Sequence, residues 1–224
     1  MAGFELLKNY EIVEDLTEEE KQLIISNMTK VNYSKGERII KNGEFVTHAV
    51  FIIKGFLKIH CDYKGKTVIL DVCGPNSFFG LSSMIGKDKH AFDISSIDDS
   101  LIYLINIDIL RKLIEQNGLF ARKLVNYMNE NMLHYFHHNL IALTQSNIHG
   151  RLASTIIYLS QNVFGSQNFD LLLSRKELSQ FSNISRENVI KVLYEFNDEG
   201  LIKLNGQKIQ ILNPDQLKHL AKTC

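Results

Sequence analysis

The chain carries no surplus charge of either sign. Among its 224 residues, 25 lysines and arginines offset 25 aspartates and glutamates. No global basic field announces a polyanionic partner, so any basic surface has to be local. Cysteine is scarce: Cys61, Cys73 and Cys224 lie far apart and are odd in number. No CxxC or Cys/His ligand spacing occurs. That argues against a zinc ribbon or a disulfide framework and leaves idle or buried thiols of a reducing compartment. Long apolar runs are missing too. No stretch approaches the ~18 consecutive apolar residues of a membrane span, and residues 1–11, with Glu5 and Lys8, do not read as a signal peptide. A cytoplasmic protein without a membrane segment is expected. Hydrophobic side chains, at 45% of residues, are enough for one large domain or two modest ones.

The order of elements is legible from patterning. Thr17 and Glu20 have the spacing of a capping box, and the helix they open places Leu23, Ile24 and Met28 on one face. From Val31 to about Ile107 short β-branched and aromatic runs alternate with glycines at 36, 43, 55, 65, 74, 80 and 86. Strands at a spacing of ~8–12 residues between turn signals predict a sandwich or barrel. From Ile107 to about Gln145 the period becomes 3.6, and Gly118 splits a short helix from one of roughly 26 residues, about 39 Å long. Its apolar stripe, Met128, Met132, Leu133, Phe136, Leu140 and Leu143, with Val125 upstream, needs a partner. A parallel two-helix dimer supplies one. A further helix over Asn147–Phe164 precedes Leu171-Leu172-Leu173, which reads as a short strand.

The C-terminal third carries the most specific signal. Ser174-Arg175-Lys176-Glu177 is a second capping box, opening a helix to about Phe181. Ser185-Arg186-Glu187-Asn188 opens the next helix, in which Val189, Val192, Leu193 and Phe196 form one apolar face. Arg186, Glu187, Asn188, Ile190 and Lys191 lie on the other side of its first two turns. A recognition helix needs this division, one face anchored and the other free to reach base edges. Gly200 closes it. The runs 201–204 and 207–212 then read as a hairpin through Asn205-Gly206, with the type I′ turn that dipeptide prefers.

These features resemble the CRP/FNR superfamily of transcription regulators over nearly the whole chain. The C-terminal match runs from Leu173-Ser174-Arg175-Lys176-Glu177-Leu178 through Ser185-Arg186-Glu187-Asn188-Val189-Ile190-Lys191-Val192-Leu193. The N-terminal match is to that family's cyclic-nucleotide-binding β-roll, at Lys35-Gly36-Glu37, Lys41-Asn42-Gly43-Glu44, Phe51-Ile52-Ile53-Lys54-Gly55 and Gly74-Pro75-Asn76-Ser77-Phe78-Phe79-Gly80. The resemblance implies an α+β chain. Its parts would be a jelly-roll-like double-stranded β-helix as sensor (1–118), a dimerisation helix (119–146) and a winged helix-turn-helix (147–224). It implies a homodimer on palindromic DNA, with RNA polymerase as a further partner and activation as the expected mode. It assigns base contacts to Ser185, Arg186, Glu187, Asn188 and Lys191, the last where the family usually has arginine. Ser174, Arg175, Lys176, Lys203 and Lys208 would face phosphates.

For the sensor, the resemblance argues against cAMP. Nucleotide-binding members hold the cyclic phosphate with an Arg-Ser pair and a glutamate just after the glycine that matches Gly80. Here Leu81, Ala91 and Phe92 stand there, and Phe136 and His137 face the purine site. The N-terminal cysteine cluster of iron–sulfur members is absent as well. An apolar effector pocket is therefore expected around Gly80, Leu81, Phe92, Phe136 and His137, with Phe79 and Met84 beside it. His134, His137 and His138, at i, i+3 and i+4, could present imidazoles to haem iron or simply be exposed polar residues, so haem and an apolar small molecule both stay open as effectors. A catalytic metal-binding barrel, using His48, His60 and His90, is the rival reading, but no carboxylate is spaced with them as a ligand set.

Overall fold

A computed structural model describes residues 11–81, 89–144 and 147–223, without the side chains of 137, 138, 141–144 and 223. Its N-terminal part is an antiparallel β-roll, with a long helix after it and a C-terminal helix-turn-helix, as expected. By internal packing the chain divides into two units, residues 1–57 with 73–133 and residues 58–72 with 134–224.

In the first unit, helix α1 (Glu18–Ser26) has the expected box: Thr17 Oγ1 accepts from Glu20 N, and Glu20 Oε2 accepts from Thr17 N at 2.8 Å. The backbone N–H of Thr17 is the main reason the Glu20 carboxyl sits below its ordinary range. The helix stops sooner than its periodicity suggested. Asn27 Nδ2 donates to Leu23 O at 2.9 Å, a carbonyl that the next residue of helix would have bonded. Met28 thus leaves the helical face and begins strand β1 (Met28–Tyr33).

The next strands along the chain are β2 (Arg38–Ile40), β3 (His48–Lys54), β4 (Leu57–Tyr63), β5 (Lys66–Cys73), β6 (Phe78–Phe79), β7 (Asp93–Ser96) and β8 (Ser100–Asn106). One sheet is ordered β1-β8-β3-β6, and β2 pairs antiparallel with β7. Strand β3 is buried on both sides through Ala49, Val50, Phe51 and Ile52, which accounts for its unbroken apolar run. Gly55, just after it, has φ +89°, and a Cβ there would lie 2.7 Å from Ser100 Cα. No L side chain fits that conformation and that gap together. Helices α2 (Ile107–Gln116) and α3 (Gly118–Thr144) come after β8. The start of α3 is tied to the roll: Phe120 and Leu124 join the core with Phe51 and Leu110, and Tyr127 Oη accepts from Phe78 N at 2.8 Å.

In the second unit, α4 (Ile148–Tyr158) starts at the Asn147 cap, and its last turn widens into a π turn over Leu159–Val163. Strand β9 (Asn168–Asp170), α5 (Arg175–Ser182), α6 (Arg186–Asp198), β10 (Ile202–Asn205), β11 (Lys208–Ile211) and α7 (Pro214–Thr223) complete it. The sheet order is β10-β11-β9. The expected strand at Leu171–Leu173 lies instead at 168–170. Leu171 and Leu173 plug the core at 0% and 1% exposure, and Leu172 is half-buried.

Candidate nucleic-acid interface

The site is built from two capped helices and a turn. At the start of α5, Ser174 Oγ accepts from Glu177 N, while Glu177 Oε2 accepts from Ser174 N at 2.9 Å and from its hydroxyl at 2.8 Å. The other Glu177 oxygen takes Lys58 Nζ, on β4 of the same unit. Burial alone would raise the Glu177 carboxyl, but Lys58 and the Ser174 donors outweigh it and hold the group below its ordinary value. The helix ends at Asn183, in the left-handed region (φ 53°, ψ 44°), where Asn is tolerated. The chain then turns through buried Ile184 to Ser185, whose Oγ caps α6 by accepting from Asn188 N.

Helix α6 is divided as its periodicity required. Val189, Val192, Leu193 and Phe196 are all at 0% exposure. Ser185, Arg186, Glu187 and Lys191 are exposed, Asn188 is half-buried, and Lys176, Lys203 and Lys208 are exposed on the neighbouring elements. The structure thus brings the expected base-facing residues onto one free surface. One residue is tied to the wing and one expectation changes. Arg175 is half-buried, and its Nη2 donates to Gly206 O at 3.0 Å; burial pushes its guanidinium below the ordinary value. That bond braces the wing through one of the five guanidinium N–H donors. The wing turn is also shifted by one residue: Asn205 pairs with Lys208, so the loop is Gly206-Gln207. Gly206 has φ +61° and Asn205 has no positive φ. That is the glycine-first pattern of a II′ turn rather than I′.

Two residues on this surface escaped sequence reasoning. Tyr194 is 59% exposed on the same side as Lys191, and one turn of spacing could have found it. Glu195 bonds His149 on α4, and no local pattern links residues 46 positions apart.

Of the residues expected to line an effector pocket, Gly80, Leu81 and Phe92 lie in the first unit and Phe136 and His137 in the second. Leu81 is 3% exposed and belongs to the roll core. With Ile12, Phe78, Phe120 and Leu124 it surrounds a void of about 10 Å³, room for one water at most. Phe92, in the bend before β7, and Phe136, on α3, are 43% and 62% exposed in the single chain. Gly80 comes directly after β6 with φ +84°, beside buried His90, whose imidazole burial pushes below its ordinary value against the opposing pull of Glu44. His134 is exposed. The side chains of His137 and His138 and the whole of Met84 lie outside the described residues. Among the described residues no group of three or more His, Cys, Asp or Glu could hold a metal, and Cys61 and Cys73 are half-buried.

On α3, Val125, Met132, Leu133, Phe136 and Leu140 are 52–62% exposed, the last four forming an apolar row. Met128 is half-buried against the roll core, so it serves the roll and not that row. Leu143 lies outside the described side chains.

Two protein families match the chain. The cyclic nucleotide-binding domain family matches residues 30–117 and the Crp-like helix-turn-helix domain family matches residues 150–220. The chain belongs to the CRP/FNR superfamily of transcription regulators. It is 25% identical over 205 residues to the CRP-like cAMP-activated global transcriptional regulator of Mycobacterium tuberculosis, covering 89% of this chain and 91% of that one. The transcriptional activator protein anr of Pseudomonas aeruginosa is 25% identical over 194 residues, 84% of this chain and 78% of its own. Among solved structures, FixK2 from Bradyrhizobium japonicum has the same fold, with a TM-score of 0.81 at 21% identity over 88% of this chain and 98% of that one. The superfamily carries its helix-turn-helix for DNA, and in this member α5 and α6 form it. No helix among the described residues is long and apolar enough to cross a membrane.

Proposed function

We propose that this CRP/FNR member is a cytoplasmic, homodimeric, sequence-specific transcription regulator, governed by an effector in the β-roll other than cAMP. The observation that carries the reading is the split of α6, with four side chains fully buried and Arg186, Glu187 and Lys191 exposed on the opposite side. Residues 1–118 would sense, 119–146 dimerise and 147–224 bind DNA. Two copies of α6 entering successive major grooves require a palindromic operator with half-site centres ~34 Å apart. Arg186 suits guanine by its fork, and Glu187 can accept from cytosine N4. Lys191 offers a point charge. The exposed row on α3 supplies the dimer seam. RNA polymerase is the further partner of an activator.

The mycobacterial relative is cAMP-activated by name. This chain differs where the cyclic phosphate would sit: Leu81 is locked in the core, and Ala91 and Phe92 offer no cation. An anionic phosphate without a cationic fork would be left unpaired, at a cost of several kcal/mol. The cyclic nucleotide does not fit those residues.

Arg186→Ala is the test. Operator binding should be lost with the fold retained, and unchanged affinity and selectivity would remove α6 as the recognition helix. The effector's class is read from the absorption spectrum of protein purified without air. A Soret band that moves on reduction would assign haem, and a spectrum featureless above 300 nm would leave an organic effector.

A further inference from the structure

The second unit links Lys191 to His149 through Glu195. His149 lies at the start of α4, and its Nδ1 is 3.1 Å from Asn147 Oδ1 while its Nε2 is 2.8 Å from Glu195 Oε2. The ring also packs on Phe196, with centroids 6.0 Å apart. The bond to Glu195 and the Phe196 contact fix its position from one edge and one face. Through it the Glu195 carboxylate is fixed too, and its other oxygen, Oε1, lies 3.6 Å from Lys191 Nζ. Lys191 is 66% exposed at its side chain and Glu195 35%.

Left to themselves, Lys191 and Glu195 would interact weakly. Both are partly in water, and an i,i+4 pair with lysine first is the poorer orientation. The difference here is that the carboxylate does not have to be ordered, because an independent helix holds it. A lysine on a DNA-facing surface would otherwise bond any phosphate within reach, adding affinity without sequence information.

We propose that Glu195 is a positioning residue for DNA recognition: held by His149, its carboxylate competes with phosphate for the Lys191 ammonium. Lys191 then contributes only where a base edge can replace the carboxylate. This rests on the reading of α6 as the recognition helix. Removing the negative charge should release Lys191 to phosphates generally, so non-specific binding rises while selectivity falls.

The experiment uses the full-length dimer, a random-sequence 30-base-pair duplex and an operator obtained by selection with the unaltered protein. Glu195→Gln keeps the shape and should raise affinity for the random duplex about threefold or more, with the plot of log K against log salt steeper by about 0.9 per protomer, as one added phosphate contact demands. The ratio of operator to random-duplex affinity should fall. In a Lys191→Met background the same Glu195→Gln change should do nothing, since there is no ammonium to release. Equal gains in both backgrounds would mean that Glu195 acts only by general repulsion of DNA, and the proposal would fall. An unchanged salt slope in Glu195→Gln would also overturn it. Arg186→Ala separates the two levels: if it leaves operator binding intact, the recognition-helix reading itself fails. If it abolishes operator binding while the Glu195 and Lys191 changes are additive, only the positioning role fails.

Discussion

Helices α6 and α3 carry the same signal, an apolar stripe at helical spacing, and the chain completes them differently. In α6 the stripe is wholly buried within its own unit. In α3 the upstream turns are anchored by Phe120, Leu124, Tyr127 and Met128, but Met132, Leu133, Phe136 and Leu140 stay exposed. Periodicity shows that a face must be covered, not by which chain. One polypeptide suffices for the reading head. On the proposed reading the seam needs a second copy, so its stability would depend on protein concentration while that of α6 would not.

The most disruptive way to probe this contrast is Phe196→Ala. Emptying a fully buried aromatic site should destabilise the protein by about 3–5 kcal/mol, seen as a drop in thermal midpoint that is the same at every protein concentration. Next comes Leu133→Asp with Phe136→Asp. Both sites are exposed in the single chain, so circular dichroism should be unchanged while sedimentation shows monomers, and operator affinity should fall about 100-fold or more as two-site binding is lost. A persistent dimer would mean that another face joins the copies.

Glu177→Ala should cost about 1–2 kcal/mol, through the lost cap and the Lys58 left without its carboxylate. Because the folded carboxyl sits below its ordinary value, its stabilising contribution is present above the unfolded pKa and is lost as pH falls through the folded one. Acid unfolding should therefore show a component below the ordinary carboxylate range that Glu177→Gln removes. The smallest effect is at the wing: Gly206→Ala, forced to φ +61°, should cost about 1 kcal/mol and loosen Arg175 with little change in the core.

Legibility tracked the range of the interactions. Ser174 with Glu177 and Ser185 with Asn188 announce their helices because the bonding atoms are three residues apart. Where two local signals competed, position slipped: Met28 fits the face of α1 but is claimed by the ladder with β8, and Asn205-Gly206 fits a I′ turn but cross-strand register moved the loop on by one. Burial was least legible. Leu81, Phe92 and Phe136 are apolar, and apolarity does not distinguish a core position from an outward one. The bonds of Glu177 to Lys58, 119 positions away, and of Glu195 to His149 have no sequence pattern at all.

The π turn that ends α4 has a consequence for how this chain can vary in length. Phe164 N donates to Leu159 O, five residues back, so residues 159–163 hold one residue more than an α-helical turn would. Removing any one of them would let the ordinary ladder close and turn the upstream helix by about 100° relative to the chain after Phe164. Leu152 and Ile156, now at 0% exposure, would swing away from the core, and His149 with them away from Glu195. A point substitution in this stretch changes one side chain. A single-codon deletion there would re-aim the whole of α4, so related sequences that keep this arrangement should conserve the length of the segment more strictly than its composition.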